Sequence, residues 1–145
     1  MALDTAAPLA RLVTVLEGLP GIGAGSVYTG VPESIGPRVA AYVALGGQRF
    51  DTETTNTLQR EATYFVGFAY AVEGSEATAE TTIAGLLDAF QAALLTERET
   101  GMGGLVDSVG WEFSLGDGPE YTPVAGSEFR LYPVLVRVTQ HTTYG

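Results

Sequence analysis

Apolar residues recur with two different periods along this chain, and the periods divide it into helices and strands. Leu9, Leu12, Val13 and Leu16 fall at i, i+3, i+4 and i+7, one stripe of an amphipathic helix. Asp4 or Thr5 is placed to cap that helix, Pro8 fits its first turn, and Gly18 and Pro20 end it. A longer stripe of Ile83, Leu86, Leu87, Phe90 and Leu94 predicts a second helix. Ser75 caps it, Glu76 and Glu80 suit its positive end, and Gly101, Gly103 and Gly104 close it.

Between and after the helices the pattern alternates. Val27–Gly30 reads as a short strand, and 38–45 as a longer one ended by Gly46-Gly47. The threonine-rich, polar stretch 50–58 is expected to be an exposed loop. Residues 60–72 form a long strand. In 108–115, Val109, Trp111, Phe113 and Leu115 face one way. The stretch 116–119 is a turn, with the loop expected to continue to Gly126. The last strand is expected over 128–139, and Pro133 inside it suggests an edge or a bulge. No internal repeat or linker divides the chain. The expectation is one α+β domain over residues 1–145. Its sheet is largely antiparallel or mixed, with two helices packed on one face.

The strands are apolar on both faces, and two helices cover about one face of such a sheet. In residues 60–72, Tyr64, Val66, Phe68, Tyr70 and Val72 alternate with Phe65, Gly67, Ala69 and Ala71. The small-residue side suits close helix packing, which leaves the aromatic side for another occupant. Tyrosine and phenylalanine are enriched in protein interfaces. Tyr42, Tyr64, Phe68, Tyr70 and Tyr132 are therefore the candidate subunit-contact residues.

Composition narrows the chemistry. With no cysteine, disulfides, thiolate nucleophiles and cysteine-ligated metals are excluded. The 17 acids outnumber 7 bases, all arginine, for a net charge of −10. That balance disfavours nucleic-acid binding unless Arg38, Arg49 and Arg60 cluster. No apolar run reaches the ~18–20 residues that span a bilayer, and the start lacks a basic leader, so a cytoplasmic place of assembly is expected.

Gly21-Ile22-Gly23-Ala24-Gly25 has the wrong spacing and context for a dinucleotide loop, and there is no lysine for a Walker loop. A calcium loop from Asp51 would put Asn56 and Ala62 where glycine and glutamate belong. His141, the only histidine, has no nucleophile elbow to partner it and reads as an ordinary residue near the C-terminus. Glu76, Glu80, Asp88 and Glu97 read as a solvated helix face. No catalytic residue, cofactor or metal site is expected.

The chain resembles the tail terminator, or tail-completion, proteins of long-tailed bacteriophages. The resemblance rests on size, element order and four phrases. These are Leu19-Pro20-Gly21, Val27-Tyr28-Thr29-Gly30-Val31-Pro32-Glu33-Ser34, Ala41-Tyr42-Val43-Ala44-Leu45-Gly46-Gly47 and Arg130-Leu131-Tyr132-Pro133-Val134. It implies a virion structural protein, not an enzyme. It implies a homo-oligomer, a hexameric ring capping the tail tube, with tail tube and head–tail connector proteins as partners. DNA would meet it only in passage through the ring, and no membrane is involved. Asp51, Glu53, Asp117 and Glu120 are then candidates for acidic loops at the rim or lumen. The rival readings are another neck, head-completion or tail tube subunit, or a small-ligand-binding domain using the aromatic face as a pocket lining.

Overall fold

Asp4 starts the first helix: its Oδ1 accepts a hydrogen bond from the Ala7 amide at 3.0 Å, one of the donors a helix N-terminus leaves unpaired. In this computed structural model, residues 4–22, 24–30, 39–54, 57–71, 76–113, 120–124 and 127–143 are described. Helix α1 spans Ala6–Glu17 and buries Pro8, Leu12 and Leu16. Leu9 and Val13 flank the same stripe.

Helix α2 spans Glu76–Gly104 and buries Ile83, Leu86, Phe90 and Leu94. Its last turn changes hand. Gly101, Met102 and Gly103 have φ of 61°, 54° and 71°. Glycine takes this conformation freely, whereas a side chain costs roughly 1–2 kcal/mol there. Met102 nonetheless sits at this position, and its side chain is fully buried in the core. Burying a methionine is worth about 1.5–3 kcal/mol, enough to offset the strain.

The strands are β1 (Val27–Thr29), β2 (Val39–Thr54), β3 (Thr57–Ala71), β4 (Ser108–Phe113), β5 (Glu120–Val124) and β6 (Ser127–Thr143). They form one sheet in the order β1-β2-β3-β6-β4, with β5 also paired to β6. β1 runs parallel to β2, and every other pairing is antiparallel. The fold is α+β, a mixed sheet with both helices on one face, as the periodicity indicates. No helix among the described residues is long and apolar enough to cross a membrane.

Four local expectations change. Gly46-Gly47 does not end β2 but makes a bulge, with the register shifting between Leu45 and Gln48. The expected loop at 50–58 is instead the far end of a long hairpin, with Phe50 opposite Arg60 and Thr54 opposite Thr57. Threonine is a good strand former, and a strand pair beyond the core is polar on both sides. A short strand, β5, lies within the expected loop 116–126. Finally, β6 continues to Thr143. Pro133 lies on this interior strand, but β5 pairs up to Leu131 and β4 begins at Val134. Among the described residues the proline occupies the gap between them, where no ladder donor is needed.

The core lies between the helices and one sheet face. Leu12 and Leu16 of α1 and Phe90 and Leu94 of α2 pack with Val43, Tyr64, Val66, Phe68, Val134 and Val136. The Phe68 and Phe90 rings meet edge to face, 5.4 Å apart at 71°. Phe68→Ala should therefore destabilise the protein by about 3–5 kcal/mol in denaturant unfolding, the cost of an aromatic-sized cavity.

Candidate functional site

The helices cover the aromatic face, not the small-residue face, and this overturns the expected placement of the contact residues. Tyr64 and Phe68 are fully buried beneath α1 and α2, and Tyr70 is buried against Ile83. Tyr132 is half-buried on the same side, with the Arg130 guanidinium 5.7 Å from its ring. None of these four is presented to a partner by the helix-free face. Tyr42 alone of the five lies on that face. The reason is volume. The space between sheet and helices has to be filled to crystal-like density, and large rings fill it. On the far face Gly67 is small because the Tyr42 ring lies across it: a Cβ at Gly67 would collide with that ring.

The helix-free face has two halves. One is apolar: Ala40, Ala69, Ala71 and Phe129 are buried, Leu131 packs against them, and Phe65 is 43% exposed. The other is polar, where Arg49 stands opposite Glu61, and Glu61 opposite Thr139. Arg60, one residue along from Glu61, points to the opposite side and is buried. Arg49 and Arg60 therefore form no basic patch, and Arg38 lies outside the described residues.

Under the start of α1 is a polar lock. Arg60 donates from Nη1 to Thr5 Oγ1 at 2.5 Å and from Nη2 to Gln140 Oε1. Gln140 Nε2 donates to the Leu105 carbonyl at 2.9 Å, and its Oε1 accepts from the Asp4 amide at 3.2 Å. The Tyr64 hydroxyl donates to the Thr5 carbonyl at 2.9 Å. Arg60 Nε is buried with no hydrogen-bond partner among the described residues. Burial holds the Tyr64 phenol above its ordinary pKa, a shift to which Asp4 adds and which Arg60 opposes.

Two polar residues read as bland in the sequence are engaged. Glu97 is buried and takes a bidentate pair from Arg11, at 2.8 and 2.9 Å. Its position, i+3 from Leu94 and i+7 from Phe90, is on the buried stripe, a signal available in the sequence. His141 is not a frayed terminal residue. It lies within β6, and its Nδ1 is 2.6 Å from Asp107 Oδ2.

The acidic rim candidates are not brought together. Asp51 and Glu53 lie toward the hairpin end of β2, Asp51 opposite Gln59. Glu120 is in β5 opposite Leu131, toward the other end of the sheet. Asp117 lies outside the described residues. Two shallow grooves, of ≈ 280 and ≈ 350 Å³, follow the helix layer beside Gly85 and Ala89 and beside Gly18 and Ala93. Among the described residues no group of three or more His, Asp or Glu is placed to hold a metal ion.

No protein-family model matches the chain, and no curated protein does. One solved structure, of a protein whose printed name states no activity, is similar over 93% of this chain and 92% of its own. It has 15% identity and a TM-score of 0.40, too distant to carry a functional argument.

The raised Tyr64 pKa fixes the sign of a pH effect. Stability from the buried, protonated phenol is fully present below its unfolded value of ~10 and is lost as pH rises through the higher folded value. Unfolding curves from about pH 8 to about pH 11 should show stability falling at the alkaline end. Tyr64→Phe should flatten that fall.

Proposed function

We propose that this protein is a ring-forming structural subunit of a bacteriophage tail, a tail terminator that caps the tail tube and joins it to the head connector. The observation that carries the reading is the helix-free sheet face. Ala40, Ala69, Ala71 and Phe129 are already buried there, but Phe65 is 43% exposed on a face that no helix among the described residues covers, and an exposed aromatic of this kind is what subunit contacts use. The resemblance of four sequence phrases to tail terminators supports the same reading, and so does the net charge of −10. An acidic lumen keeps passing DNA from sticking, over a range of about 8 Å at physiological salt.

Negative-stain electron microscopy over a concentration series, alone and with tail tubes, tests the proposal. Discrete rings, or a single cap at a tube end, are expected. Long filaments from the protein alone would make it a tube subunit instead. A monomer that ignores tubes at every concentration would overturn the structural reading.

A further inference from the structure

The registers across the sheet fix which residues stand at the same level. Trp111 faces Val136, Val136 faces Tyr64, and Tyr64 faces Leu45. In the same way Glu112 is level with Ala44, through Leu135 and Phe65, and Ser108 is level with Arg49, through Thr139 and Glu61. β4 therefore occupies the level of residues 43–49 of β2, with Phe113 level with Val43 and the rest level with 44–49. Residues 44–49 are the stretch β1 leaves uncovered, because β1 pairs only with Ala41–Val43. Among the described residues nothing else pairs with the outer edge of β2 or of β4.

We propose that a second copy of this chain adds its β4 edge to the β2 edge of the first at residues 44–49, continuing the sheet from subunit to subunit. Following the alternation from β2 through β3 and β6, β4 is antiparallel to β2. A copy displaced sideways in the sheet thus presents an antiparallel strand at the right height. Side chains come level on both faces. On the helix side Leu45, 54% exposed, meets the second copy's Trp111, which is half-buried in its own subunit, and Phe50, 55% exposed, lies farther along the same edge, beyond the level of Ser108. Two large apolar residues so exposed on one edge strand are a liability unless the edge is paired. On the other side, Arg49 comes level with Ser108, one residue along from Asp107, whose carboxylate is held by His141 of its own subunit. Contact through two different edges is head to tail, the geometry that closes rings when the rotation per copy divides the circle.

This inference rests on the ring reading only in requiring self-association. The chain has no cysteine, so introduced pairs report without background. Directly opposed positions on antiparallel strands bring Cβ atoms ~4.5–5.5 Å apart, near disulfide range. The double variant Ala44→Cys/Glu112→Cys should give a ladder of covalent multimers on oxidation, and neither single variant should. Leu45→Arg, at an exposed position, should weaken self-association by about tenfold or more in light scattering while leaving the melting temperature nearly unchanged. Multimers that form without the cross-linked ladder would overturn the edge pairing and leave the ring intact. Cross-linking of Ala44→Cys alone would show β2 meeting β2 and overturn it as well. A monomer at every concentration would overturn both the edge pairing and the ring.

Discussion

β3 must bury one row of side chains under two helices while its other row lies against no helix, and most of the structure follows from that requirement. Tyr64, Val66 and Phe68 stand at the centre of the sheet, flanked by Val43 on β2 and by Val134 and Val136 on β6. The helices can approach only as closely as those rings allow. α1 is then seated by Leu12 and Leu16, and α2 by Phe90 and Leu94. The left-handed turn after α2 belongs to the same constraint. It carries Met102 back into the core and lets Val106 N–H close onto the Gly101 carbonyl at 3.1 Å, which delivers the chain to β4.

The elements were legible in the sequence where one period ran long enough to dominate. The helical stripes and the alternation in β3 and β4 place those elements within a few residues. The glycine pair in β2 misled because glycine weakens a strand and marks a bulge with the same signature. Which face the helices take was not legible from residue size alone. Gly67, Ala69 and Ala71 look like a helix seat, but the Tyr42 ring from the neighbouring strand claims the space above Gly67. That contact joins two strands and leaves no trace in either one read separately.

The placement of the candidate contact residues was not legible, because the helices take the face on which Tyr64, Phe68, Tyr70 and Tyr132 lie. Apolar residues do line both faces of the strands, and on the face that no helix among the described residues covers, Ala40, Ala69, Ala71 and Phe129 are buried while Phe65 is exposed. The edges are a different matter. That β1 covers three positions of β2 and stops, level with the end of β4, emerges only from the combined registers. Glu97 was readable from its place on the stripe of α2. The pairing of His141 with Asp107 was not, because it joins residues 34 apart in the chain, and β6 runs on to Thr143, past the apolar alternation that marks it in the sequence.

The lock around Arg60 gives the molecule an uneven response to its surroundings. Mobile ions reach exposed pairs such as Arg137 with Glu112, whose side chains are 43% and 61% exposed, and loosen them. They do not reach a guanidinium buried beneath a helix and held by the neutral oxygens of Thr5 and Gln140. As ionic strength rises, surface pairs and any contact between charged edges should fade first. The seat of α1 on the sheet stays as it was, so each subunit keeps its shape while its attachments become adjustable.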